Sequence, residues 1–175
     1  DMAFPVIIRP SFTLGGSGKT PMVRYLREAL TKKGYDCAVL LRGYKGKFKG
    51  PLIVDINTHL SSEVGDEALL HAKDGLTIVS KNRVKGCKYI EKLDVDLIIL
   101  DDGFQHRYLH RDINILLTLY DKPFYEDRLF PVGKLRENKS YVKRSDIVIV
   151  TNCPNNLEKR KRNIIKSNVL KYSTS

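Results

Sequence analysis

An α/β fold, with a doubly wound, mainly parallel sheet and helices on both faces, is predicted by three features of the sequence. Short apolar runs rich in β-branched residues recur along the chain, and most are continuous rather than alternating, the pattern of strands buried on both faces. Segments with apolar residues at helical spacing lie between them. The first apolar run is followed by the glycine-rich stretch SFTLGGSGKTPMV (residues 11–23), placed between a strand and a helix as a phosphate-binding loop requires. The doubly wound fold is therefore expected to be of the P-loop NTPase kind.

In chain order, the candidate strands are FPVII (4–8), DCAVLL (36–41), PLIVD (51–55), LTIVS (76–80), VDLIIL (95–100), INILLTL (113–119) and DIVIVT (146–151). Helical spacing covers 18–33, where Met22, Leu26 and Leu30 share a face, and again 63–73 and 82–93. Residues 1–151 are read as one nucleotide-binding domain. From 152 the chain turns polar and basic, with one weak helix, and is read as a tail or the start of a further domain.

With 175 residues the chain suits a single well-packed core. Its 42% apolar and 29% charged content exclude a disordered tail. The net charge of +11 predicts an anionic partner: nucleic acid, a phosphorylated substrate or an acidic membrane surface. The basic residues are dispersed and no recognition motif accompanies them, so no nucleic acid is expected. Cys37, Cys87 and Cys153 form no C-x-x-C pair, which argues against a disulfide scaffold or zinc site and for a reducing compartment. No apolar run approaches the roughly 20 residues that span a bilayer, and Asp1 to Arg9 does not read as a signal peptide.

The chemistry starts at the glycine loop. Gly15, Gly16 and Gly18 permit close backbone approach, so that main-chain N–H groups and the helix N-terminus can point at phosphate oxygens. Lys19 would reach the β- and γ-phosphates and the Thr20 hydroxyl would ligate Mg²⁺. Pro21 suits the first helical turn, where a missing N–H costs little. Thr13 stands where the general pattern has its first glycine. DLIILDDGFQHR (96–107) ends a buried strand in Asp101 and Asp102, at the sheet edge where ligands bind; the pair is either a second Mg²⁺-supporting motif or a polar turn. His106 and His110, four residues apart, lack the further ligands that a metal site needs. RGYKGKFKG (42–50) is a basic, glycine-interrupted loop, either an anion clamp or a solvated surface loop. In SSEVGDEALLHAK (61–73), Asp66 and Glu67 open a helix, where carboxylates are commonly dipole partners; Asp66 is also a candidate base for a hydroxyl attacking a γ-phosphate.

Five blocks in this order, GGSGKTP (15–21), RGY (42–44), GDEA (65–68), DDGFQHR (101–107) and LFPVGKLRE (129–137), resemble the signature of the tetraacyldisaccharide 4'-kinase (lipid A 4'-kinase) family. The likeness spans roughly residues 11–150, and Thr13 agrees with that family. The chain departs from it at Arg9, Pro10 and Ser11, where the family shows a V-G-N run.

The resemblance implies an ATP- and Mg²⁺-dependent phosphotransferase with an alcohol acceptor. The γ-phosphoryl group goes to the 4'-hydroxyl of a tetraacyldisaccharide 1-phosphate, a lipid A precursor, peripherally at the cytoplasmic face of the bacterial inner membrane. Thr13, Leu14, Gly15, Gly16, Ser17, Gly18, Lys19 and Thr20 would hold the nucleotide. Thr20, Asp101 and Asp102 would support Mg²⁺. Lys19, Asp66 as general base and Asp102 would form the catalytic set, and Arg42, Tyr44, Gln105, His106, Arg136 and Glu137 would line the lipid or nucleotide site. Implied partners are the lipid precursor, the anionic membrane surface and a missing C-terminal half as a separate chain. On this reading the chain is the nucleotide-binding part, with low or no activity alone. Two other readings remain: another P-loop NTPase, although the guanine-reading N-K-x-D motif is absent, and an inactive ATP-binding remnant.

Overall fold

Each candidate apolar run contributes a strand, and those at Cys37–Leu41, Thr77–Val79 and Leu97–Asp101 are buried along their whole length, as strands covered on both faces are. The structure, a computed structural model, describes residues 6–9 (backbone only), 18–48, 50–101, 112–133, 135 and 138–173. It divides into two compact units, one built on Thr20–Asp112 with residues 6–8, the other on Ile113–Ser175 with Arg9, Gly18 and Lys19.

In the first unit the strands are β1 (Val6–Arg9), β2 (Cys37–Leu41), β3 (Leu52–Ile53), β4 (Thr77–Val79) and β5 (Leu97–Asp101), in the order β3-β4-β2-β5-β1. β2 runs parallel to β4, with Leu41 opposite Val79, and parallel to β5, with Leu40 opposite Leu100. β3 is the exception: it is short and pairs antiparallel to β4, shorter than the five-residue run read from sequence. Pro51, with no N–H to donate, confines that run to an edge. The core lies under β2, β4 and β5, where Ala38, Leu40, Ile78, Cys87, Ile90, Val95, Ile98 and Leu100 pack together. Burying each of the larger side chains contributes about 1.5–3 kcal/mol.

The helices of this unit are α1 (Lys19–Thr31), from Thr20 onward, α2 (Ser61–Val64), α3 (Asp66–Ala72) and α4 (Arg83–Ile90). The sequence reads 63–73 as one helix; in the structure Gly65, at φ 92°, breaks it into α2 and α3. Asn82 caps α4 by accepting from the Lys85 N–H at 3.0 Å. The predicted stripe of α1 is only half-buried at Met22, Leu26 and Leu30, and the buried residues are Val23 and Arg27.

Arg24 joins α1 to the turn after α3, donating from Nε and Nη2 to the two carboxylate oxygens of Asp74 at 2.5 and 3.0 Å. The guanidinium of Arg24 holds the Asp74 carboxyl below its ordinary range. A depressed carboxyl stabilises the fold above its unfolded value of about 4, and that contribution is lost as pH falls through the folded value. Asp74→Asn should therefore leave urea midpoints at pH 7 slightly lower and flatten their decline below about pH 4, a small effect for an exposed pair. Parallel declines for both proteins would refute this.

In the second unit β6 (Ile113–Leu119) and β7 (Ile147–Thr151) pair in parallel, Leu117 opposite Ile149. A 3₁₀ turn at Lys139–Arg144 precedes β7, and α5 (Lys159–Leu170) supplies the helix expected beyond residue 152. Ile115, Leu116, Leu117, Phe124, Leu135, Val142 and Val169 are among its buried side chains. Among the described residues no helix is long and apolar enough to cross a membrane.

Cys37 and Cys87 are buried and Cys153 is exposed, all three as free thiols. Burial pushes the Cys87 thiol up to about 11 and raises Cys37 as well. At pH 8 a thiol reagent should titrate Cys153 at once and the other two only in denaturant. Two rapidly reacting thiols would contradict this burial.

Candidate nucleotide and phosphoryl-transfer site

Because β2 and β5 are parallel and in register, their carboxyl ends lie at one edge of the sheet. Arg42 follows β2 there and Asp101 ends β5. β4 ends at the same edge, and the Ser80 N–H donates to the Leu41 carbonyl at 2.9 Å just beyond it.

The basic loop after β2 is not a loose excursion. Gly43 and Lys45 take positive φ, 68° and 63°, and the Gly46 N–H closes the turn on the Gly43 carbonyl at 3.0 Å. The loop then knits onto α2: the Lys47 N–H donates to the Ser62 carbonyl at 3.2 Å and the Phe48 N–H to the Glu63 carbonyl at 3.0 Å. α2 is held at its own start by the Leu60 N–H on Glu63 Oε2 at 2.8 Å. Backbone meets backbone here, and a Cβ on Gly46 would lie 2.5 Å from the Glu63 carbonyl oxygen.

Gly65 is the second contact. A Cβ there would sit 2.7 Å from the Tyr44 carbonyl oxygen, and its φ of 92° is one that L side chains rarely adopt. The next residue is Asp66, exposed on the first turn of α3. The RGY and GDE blocks, 21 residues apart in sequence between Tyr44 and Gly65, thus form one surface carrying Arg42, Tyr44 and Asp66. Tyr44 is 75% exposed there. Gly65→Ala should lower stability by about 1–3 kcal/mol through its strained backbone alone. A urea midpoint within error of the parent protein would show that this contact is not tight.

Asp101 is 5% exposed, and its carbonyl accepts from Arg83 Nη2 at 2.8 Å. Arg83, 3% exposed and placed by the Asn82 cap, supports the end of β5 from below. Nothing in the sequence marks Arg83 beyond a cap residue followed by an arginine at the start of a helix.

Gly18 takes φ 72°, and Lys19 and Thr20 open α1, as the loop reading expects. Thr13, Leu14, Gly15, Gly16, Ser17, Asp102, Gln105, His106, His110, Arg136 and Glu137 lie outside the described residues. Of the predicted site the structure thus places Gly18, Lys19, Thr20, Arg42, Tyr44, Asp66 and Asp101, and it joins Arg42, Tyr44 and Asp66 on one surface. Among the described residues no three His, Cys, Asp or Glu side chains cluster as a metal site. Hydroxyl and carboxylate oxygens from Thr20 and Asp101 suit Mg²⁺ that arrives with a nucleotide rather than a resident cage.

The family model for tetraacyldisaccharide-1-phosphate 4'-kinase matches residues 1–174. The chain belongs to that family. Among its relatives, the tetraacyldisaccharide 4'-kinase of Geobacter sulfurreducens is 43% identical over 157 residues, covering 85% of this chain and 44% of the relative. That of Aquifex aeolicus is 45% identical over 154 residues, 84% of this chain and 48% of the relative. A crystal structure described as the "apo" form of LpxK from Aquifex aeolicus in complex with ATP superposes with a TM-score of 0.77 at 43% identity, covering 86% of this chain and 49% of that one. The chain spans under half the length of the family members it matches. The predicted phosphate-loop α/β fold is thereby established.

Proposed function

We propose that this chain is the nucleotide-binding part of an ATP-dependent kinase that phosphorylates the 4'-hydroxyl of a tetraacyldisaccharide 1-phosphate in lipid A biosynthesis. The observation that carries the reading is the joint between the RGY loop and Gly65, which brings Arg42 and Tyr44 beside Asp66 at one sheet edge. Family membership supplies the reaction class. Because the chain spans under half its relatives' length, full transfer is proposed for the complete kinase, and these residues alone are expected to bind ATP with little turnover.

Lys19 and the backbone at the start of α1 would take the β- and γ-phosphates. Thr20, Asp101 and Asp102 would hold Mg²⁺, which neutralises charge on the bridging phosphate oxygens when bound. Asp66 would accept the proton of the 4'-hydroxyl as its oxygen bonds to the γ-phosphorus. The bond from that phosphorus to the β-bridging oxygen breaks, and ADP leaves with the electron pair. Arg42 would offer a fork to an anionic group of nucleotide or lipid. A net charge of +11 favours attachment to an anionic membrane surface, and the cytoplasmic face of the inner membrane is the location that fits an ATP-using enzyme with a lipid acceptor.

The test is calorimetric titration with ATP and GTP, followed by transfer from γ-labelled ATP to the disaccharide 1-phosphate. Mg²⁺-dependent binding that prefers ATP, with low transfer, is expected. No nucleotide binding, or a preference for GTP, would sink the reading in favour of a remnant or another NTPase.

A further inference from the structure

Helix α1 carries the phosphate-loop residues Lys19 and Thr20, yet of its 13 residues only Val23 and Arg27 are buried. Toward α3 it is not seated by an apolar stripe. A cavity of about 760 Å³, lined by Thr20, Arg24, Tyr25, Leu70 and Asp74 among others, opens along that side. Its apolar residues Tyr25 and Leu70 remain 64% and 37% exposed. What spans the gap is arginine chemistry.

Arg27 is 4% exposed. Its Nη1 donates to the His71 carbonyl at 2.7 Å, and its Nη2 donates to the Leu76 carbonyl and to Thr77 Oγ1, the latter at 3.2 Å. The acceptors come from the last turn of α3 and the beginning of β4. All three are neutral oxygens, while the nearby carboxylate, Asp74, is engaged by Arg24. Burying a guanidinium without its own carboxylate carries a desolvation cost, and burial here disfavours its charged form. An apolar side chain of similar volume would seat the helix at no such cost. Only the planar fork sets the angle of α1 against two elements at once.

We propose that Arg27, seconded by the Arg24–Asp74 pair, is a positioning residue that holds the first turn of α1, with Thr20, in a fixed orientation to the first turn of α3, with Asp66. It touches neither nucleotide nor acceptor, and the proposal rests on the phosphate-loop reading above. Thr20 lies seven residues up the helix from Arg27, about 10 Å at 1.5 Å per residue. A tilt of about 10° about the latch would move Thr20 by about 2 Å, and misplacement by about 1 Å is enough to cost a reacting group dearly.

The test compares Mg·ATP with metal-free ATP by titration calorimetry on the 175-residue chain. Arg27→Lys keeps the charge and stem but loses the fork. It should bind Mg·ATP about 10-fold more weakly and metal-free ATP within about twofold of the parent. Thr20→Ala combined with Arg27→Lys should lose no more than Thr20→Ala alone, because both act through one contact. A purely structural arginine would lower the melting temperature and leave the Mg²⁺ increment intact, or give additive losses; either result overturns the proposal. Should the Arg27 variants not fold, exposed Arg24→Gln carries the test, with about a threefold loss confined to Mg·ATP expected and an unchanged affinity overturning it. Unchanged ATP affinity in Lys19→Ala would sink the nucleotide reading and this proposal together. Weakened binding in Lys19→Ala beside unaltered Arg27 and Arg24 variants would sink the latch alone.

Discussion

Replacing Lys19 by alanine is expected to lower the affinity of this chain for ATP by about 10- to 100-fold. A hydrogen bond to a charged group contributes about 1.5–3 kcal/mol, and each 1.4 kcal/mol is a factor of ten. Lys19 opens α1 directly after Gly18, whose left-handed backbone turns the chain into the helix. In the proposed reading the lysine is a point charge at the end of a loop whose remaining phosphate contacts would be backbone N–H groups. On that reading its loss would remove the main cationic partner of the β- and γ-phosphates. Calorimetric titration decides it, with a melting curve to establish that the variant is folded. Equal affinity in parent and variant would mean that the glycine loop is only a turn between strand and helix.

The second large effect is expected at Asp66. Asp66→Asn keeps the shape of the side chain and removes its capacity to take a proton, so phosphoryl transfer should fall by about 10²- to 10⁴-fold, the range of general-base catalysis. ATP affinity should stay within about twofold, because the residue faces the acceptor in this reading and not the phosphates. Transfer from γ-labelled ATP to the disaccharide 1-phosphate measures it, on this chain and on a chain extended to the length of the relatives. A variant that transfers as fast as its parent would return Asp66 to the role of a helix-start dipole partner. That outcome is sharply distinct from the Gly65→Ala prediction, which concerns the joint that places Asp66 and not its chemistry.

The two predictions differ in how far the sequence alone supports them. Lys19 is legible from spacing, since glycines, lysine and threonine between a strand and a helix have one common physical use. Asp66 is not, because a carboxylate at a helix start has an ordinary electrostatic explanation. What places Asp66 next to the RGY loop is the contact between the Tyr44 carbonyl and Gly65, which no local pattern encodes. The same contact explains why one predicted helix over 63–73 is two: Gly65 leaves helical geometry at φ 92° so that the Tyr44 backbone can pass. Arg83 and Arg27 were invisible for a related reason. A charged residue in an amphipathic helix reads as solvent-facing, and only packing reveals that its guanidinium is spent on buried carbonyls.

By itself, then, the sequence determined the strands, the order of helices between them, the glycine loop and, through five ordered blocks, the family. These depend on local preferences: β-branched runs pair, apolar periodicity sets the faces of helices, and glycine permits turns. Only the tertiary structure decided that β3 turns back antiparallel beside β4, that Arg42, Tyr44 and Asp66 share a surface, and that α1 is held by Arg27. Those outcomes depend on which backbone groups find partners across tens of residues, and a buried N–H, carbonyl or guanidinium must find one wherever the chain brings it.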